Sequence, residues 1–246
     1  MKKLLTLLVI LSALTRFSAS AGDLDSLKQQ LKITSDDSLR AHIYGQIAAE
    51  YMLYDTVSNK VKKLVYQNEA LINSYAALHL YSKYNDTTGL RTCYDNLATV
   101  YHSQKKYSQA KWFTLQSNHL SRVINDVPNI IASLIKLAAI KTDIKDYTLA
   151  MQDLNEAQVL SNKSKAAPAK AAVQKTYAKL YTRMNKKSKA TAALKRSKAI
   201  TDSIRIKEAK TLAKLNPDPA TAKKKYPATG KRRAPLLPAA KQVATI

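Results

Sequence analysis

LATVYHSQKKYSQA, residues Leu97 to Ala110, runs from an apolar half through a lysine-rich bend into a second helical start. Apolar residues on either side of the bend recur at three and four, the period of a helix packed on one face. The layout repeats. Ala110, Ala150 and Ala190 stand forty residues apart, and so do Leu97, Leu137 and Tyr177. The same spacing relates Ala98, Ala138 and Ala178; Val100, Ile140 and Leu180; and Leu120, Leu160 and Ile200. Such columns predict a repeat array, with an ordinary helical bundle whose positions coincide as the alternative. The polar bends HSQKKYS, TDIKDYT and RMNKKSK divide each unit into two helices. An alanine closes the pattern because two helices approach closely there, and a larger side chain would hold them apart.

Strand-like alternation is absent and glycine is scarce, with four in the chain. Leu97-Ala98, followed by Tyr101 and Ala110, resembles the tetratricopeptide repeat (TPR), whose pattern places Leu-Gly, Tyr and Ala at such offsets. Ala98 stands where that family prefers Gly. Leu137-Ala138 and Ala150 repeat the match with Lys141 in place of the aromatic, and Tyr177-Ala178, Tyr181 and Ala190 repeat it more loosely. Upstream, Ile47-Ala48, Tyr51 and Ala70 resemble a divergent first unit with about ten extra residues between its helices. The resemblance implies an all-α fold: a right-handed superhelical stack of antiparallel helical hairpins, an α-solenoid of about four units. It spans residues 36–204, in units of roughly 36–84, 90–124, 130–164 and 168–202. Forty exceeds the family's usual period of about thirty-four, so longer loops between units are expected.

The two ends read differently. Residues 1–21 have a charged start (Lys2, Lys3), an apolar run and a small-residue site at Ala19-Ser20-Ala21, the layout of a secretory signal peptide. An exported, periplasmic or secreted protein is therefore expected, with an uncleaved membrane anchor as the alternative. Residues 22–35 should form a capping helix, since each hairpin buries its apolar stripe only against a neighbour. The Ser/Asp cluster at Ser35, Asp36 and Asp37 signals the next helix start. Residues 205–216 read as a helix extension, and 217–246 as a proline-containing basic tail unable to bury a core.

The formal charge of +24 is uneven. From Asp23 to Glu156 fifteen Lys/Arg face fourteen Asp/Glu, whereas from Ala157 onward twenty-three face three. Lys223, Lys224, Lys225, Lys231, Arg232 and Arg233 form two clusters in the tail. For an exported chain they suit an anionic membrane or envelope polymer, or are simply solvated. Nucleic acid is disfavoured, with Tyr226 the one stacking aromatic in the tail.

Stacked hairpins place a partner against their first helices, and the resemblance transfers groove positions residue by residue. They are Thr92, Asp95, Thr99 and His102; Ala132, Ile135, Ala139 and Thr142; and Lys175, Lys179, Thr182 and Arg183. Lys175, Lys179 and Arg183 share one helical face and could hold a carboxylate or phosphate, unless they are a solvated basic face. A protein or peptide partner is implied.

Catalysis finds little support. His42, His79, His102 and His119 do not pair with carboxylates at metal-site spacing, the glycines form no phosphate loop, and no cofactor is expected. Cys93 reads as a small buried filler, and Asp143 and Asp146 as solvated acids of a bend. The expected function is a non-enzymatic binding scaffold. The resemblance extends to exported sensory domains of bacterial regulators, in which a Lys/Glu-rich helix follows the last repeat. SIRIKEAKTLAKLN is similar to the start of such a helix, but Pro217 follows with no apolar span behind it.

Overall fold

The structure, a computed structural model, describes residues 22–215. The signal segment expected at 1–21 and the tail at 217–246, with Lys223–Lys225 and Lys231–Arg233, lie outside the described residues. Every helix within them belongs to one series. α1 (Gly22–Ile33), α2 (Asp37–Tyr51) and α3 (Lys60–Lys83) come first. α4 (Thr87–Ser103), α5 (Tyr107–Val123), α6 (Val127–Asp143), α7 (Tyr147–Lys163), α8 (Ala167–Arg183) and α9 (Lys187–Leu215) follow. No strand occurs among the described residues. They fall into two units divided after Thr201. In the second, residues 205–214 of α9 are exposed, with an Arg205–Asp202 ion pair at 3.4 Å. The first holds the stack of antiparallel hairpins.

The period of forty resolves into two of twenty. From α4 to α8 each helix has 17 residues, and three-residue turns separate them. The expectation of longer loops is thereby corrected. Turns this short have no room for extra chain, so the excess over the family's period lies in the helices. Six non-glycine residues with positive φ mark the turns at intervals of twenty: Asn85, Lys105, Asn125, Lys145, Lys165 and Asn185. Each ends a helix in the left-handed conformation. At the first-to-second turn of the α4–α5 hairpin, the Lys106 amide reaches the Tyr101 carbonyl at 2.9 Å and Lys105 reaches His102 at 3.0 Å. That double closure satisfies carbonyls that a helix end would leave orphaned. The next residue starts the following helix. Asp86, Asp126 and Asp146 accept from the backbone amides of Gly89, Asn129 and Leu149, capping α4, α6 and α7. Pro128 and Pro168 sit in first turns, where a missing amide costs nothing.

Packing follows the columns. Ala70, Ala110 and Ala150 are fully buried and Ala190 is 9% exposed, as the close approach of hairpin helices requires. Leu97, Leu137 and Tyr177, with Val100, Ile140 and Leu180, supply the larger core side chains and are all buried. Buried hydroxyls stand among them, and except for Ser74 Oγ, which has no partner among the described residues, most are satisfied locally. Thr114 donates to the Ala110 carbonyl at 2.6 Å and Ser121 to Ser117 at 2.8 Å, each back along its own helix. Gly89 is needed for another reason: a Cβ there would lie 2.5 Å from the Tyr81 ring.

The first unit diverges where its sequence does. A 3-10 turn (Met52–Thr56) follows α2, and α3 starts ten residues before Ala70, whereas α5 starts three before Ala110. The extra chain is thus shared between a longer connection and a longer helix.

First helices of neighbouring hairpins meet at the backbone in two of three cases, and α4 and α6 meet through side chains. α2 touches α4 and α6 touches α8 along the backbone, while the second helices α3, α5 and α7 make no comparable contact with one another. The first-helix side is therefore the inner face of the stack.

Candidate functional site

The inner face carries a ladder of polar pairs between successive first helices. Asp95 on α4 takes the Lys136 ammonium of α6 at 2.7 Å, and Lys136 also donates to the Thr99 hydroxyl at 2.8 Å. One helix turn on, the imidazole Nε2 of His102 donates to Asp143 at 2.9 Å, because an ionised carboxylate can only accept. Asp143, the last residue of α6, also meets Lys179 at 3.4 Å and Arg183 at 3.6 Å, both on α8. Three consecutive first helices therefore deliver their C-terminal turns to one carboxylate. A negative charge is unfavourable at a helix C-terminus. The three partners offset it.

Asp143 is the residue that sequence reading placed wrongly. It is no solvated acid of a bend: its side chain is 12% exposed. Burial alone would push its carboxyl up, but the hydrogen bond from His102 and the charge of Lys179 outweigh that and hold it below its usual range. Lys136, which carried no signal in the repeat columns, is the other groove residue that went unread.

Around Asp143 lies an open pocket of about 390 Å³, bounded by Tyr54 and Asp55 from the 3-10 turn, Thr99 and His102 from α4, and Lys179 and Arg183 from α8. Tyr54 is buried, and its phenol reaches the Thr99 carbonyl at 3.4 Å. Lys179 and Arg183 remain about half exposed. Each keeps donors beyond its long contact with Asp143.

The expected groove residues divide accordingly. Asp95, Thr99, His102, Lys179 and Arg183 come together on the inner face. Lys175 lies one turn before Lys179 on α8 and is exposed, as is Thr182. Thr92 faces a separate pocket between α2, α3 and α4, and its hydroxyl donates to the Thr88 carbonyl. Ala132 is exposed, Ala139 half-buried, and Ile135 packs against the core. Thr142 is 2% exposed and donates to the Ala138 carbonyl at 2.6 Å, so it belongs to the core and does not reach the groove. Cys93 is buried, and burial pushes its thiol up to about 12. Among the described residues no group of His, Cys, Asp and Glu could hold a metal, and no helix is long and apolar enough to cross a membrane.

No protein-family model matches the sequence, nor does any curated protein. Solved structures match the fold. Aspartyl phosphate phosphatase F from Bacillus subtilis aligns with a TM-score of 0.62 at 13% identity, over 72% of this chain and 44% of that one. RapI in its apo form gives 0.61 at 17% identity, over 80% and 69%. A putative kinesin light chain from Podosopora anserina, with nearly identical TPR-like repeats, gives 0.58 at 16% identity, over 74% and 85%. The chain spans less than half the length of the phosphatase. At such identities the likeness is one of fold: a TPR-like helical repeat, as Leu97, Ala98, Tyr101 and Ala110 imply.

Proposed function

We propose that the chain is a non-catalytic scaffold that holds a peptide or protein segment against its first-helix face, with an acidic group of the partner at the pocket beside Asp143. The convergence of α4, α6 and α8 on that pocket carries the reading. Lys179 and Arg183 are anchored by one carboxylate and have donors left for a second, which a charge-assisted contact would hold more firmly than a neutral one. The ladder from Asp95 to Lys136 fixes the adjacent first helices, so the groove is organised before a partner arrives. TPR-like neighbours support a scaffold; one of them is named a phosphatase, and that activity stays with that protein. Export to the periplasm or beyond, and a sensory or adaptor role in envelope signalling, belong to the same proposal and rest on the leader-like start of the sequence.

The charge asymmetry favours one second reading, in which the basic end attaches the protein to an anionic lipid or polymer and the hairpins serve as a spacer. Two variants separate the readings. Lys179→Ala with Arg183→Ala should weaken peptide capture about tenfold or more. Replacing Lys223–Lys225 and Lys231–Arg233 with Gln should leave capture unchanged. The opposite pattern, with binding that also falls steeply as salt rises, selects the spacer reading.

A further inference from the structure

One pair of positions is filled in three different ways along the stack. In the α4–α5 hairpin, Phe113 stacks on Tyr101 with ring centroids 5.5 Å apart and planes 2° from parallel. Forty residues on, the same positions hold Lys141 and Asp153, joined at 2.7 Å. Forty further on they hold Tyr181 and Ala193. No ring comes from α9 to cover Tyr181, and its neighbour Ala192 is equally small.

The space left behind is a cavity of about 370 Å³ between α7, α8 and α9 that opens to solvent. Tyr181 lines it beside Tyr177, the two rings 6.0 Å apart and near parallel. Lys189 Nζ lies 6.0 Å from the Tyr181 ring centroid, and Arg196 lines the same cavity from the next turns of α9. No acidic side chain lines it, and neither cation joins an ion pair among the described residues. The amide of Asn155 accepts from the Tyr177 phenol at 2.6 Å through its oxygen, which leaves its NH₂ to donate elsewhere. A second cavity of about 300 Å³ shares Gln158, Gln174 and Arg196 and continues over the apolar Val173 and Ile200.

We propose that this cavity, opened by Ala193 where α5 carries Phe113, binds a small aromatic anion, its ring against Tyr181 and its acid group toward Arg196 and Lys189. An aromatic ring restores the stacked pair that the α4–α5 hairpin makes internally. The acid answers two cations that lack a carboxylate partner among the described residues, in a donor-rich pocket. The site lies between α8 and the second helices α7 and α9, and none of the residues that line it borders the pocket at Asp143, so it can be tested independently of the groove.

The test is titration calorimetry of the full chain with 2-naphthoate, alongside cyclohexanecarboxylate (acid, no aromatic ring) and 2-naphthylmethylamine (ring, cation). Naphthoate should bind, and the two comparison compounds should bind about tenfold more weakly or not at all. Ala193→Phe should abolish binding and raise the melting temperature, since it supplies the missing ring. Arg196→Gln, an exposed change that leaves the core intact, should weaken naphthoate about tenfold. Lys179→Ala should have no effect. Failure of naphthoate to bind at about 10 mM, equal binding of the amine or of the non-aromatic acid, or full affinity in both Ala193→Phe and Arg196→Gln would overturn the proposal.

Discussion

Lys141 Nζ lies 2.7 Å from a carboxylate oxygen of Asp153, both side chains 13% exposed, where the preceding hairpin stacks Tyr101 on Phe113. One contact site of the repeat is thus served by an ion pair in one unit and an aromatic pair in another. Burial pushes the Asp153 carboxyl above its usual range in spite of Lys141, as expected where desolvation outweighs attraction. Asp153→Ala should therefore cost about 3 kcal/mol in urea unfolding, because it strands a buried ammonium. Lys141→Tyr with Asp153→Phe should restore or exceed wild-type stability. A double variant weaker than the single one would show that the positions are not equivalent.

The left-handed turn residues give a second test. Lys145 has φ of 67°, a conformation that strains a residue with a Cβ. Lys145→Gly should stabilise by about 0.5–1 kcal/mol, whereas Lys145→Val, β-branched at positive φ, should destabilise by more than about 1 kcal/mol. Equal effects of the two would mean the turn is not held in that conformation.

Asp143 sets a pH dependence. Its carboxyl is held below the usual range in the folded chain, so the unfolded chain takes up its proton first as pH falls. The stability this carboxylate contributes is complete above the ordinary value of about 3.9 and is lost as pH drops through the lower folded value. Denaturation of wild type and Asp143→Asn across that acid range should show the wild-type advantage shrinking toward zero. An advantage that does not change with pH would contradict the His102–Asp143–Lys179 cluster.

Ala150 is fully buried and Ala132 exposed. Ala150→Leu should overpack the hairpin contact and cost about 1–3 kcal/mol, while Ala132→Leu should stay within about 0.5 kcal/mol of wild type. Thermal melts of the two variants decide it.

The forty-residue columns were legible because close helix approach leaves alanine few substitutes. The twenty-residue period was not. First and second helices bury different faces, so Ala110 has no matching partner at Ile130, and the positions they share are turn residues. Those are Asn and Lys where glycine would have announced the left-handed conformation. That α4 and α8 bring Asp95, His102, Lys179 and Arg183 to one face was legible, because these residues stand at transferable offsets. Asp143 was not, because its burial depends on residues 36 to 41 positions away, and its local sequence looks like any polar bend. Lys141 looked like a lost aromatic until Asp153 appeared opposite it.

Amide hydrogen exchange of the full chain, with and without an acidic peptide selected on it from a displayed library, tests the binding face most directly. Slowed exchange in the last turns of α4, α6 and α8, lost in Lys179→Ala with Arg183→Ala, is the expected result. Protection confined to the second helices α5 and α7, or binding that leaves exchange on the first helices unchanged, would contradict it.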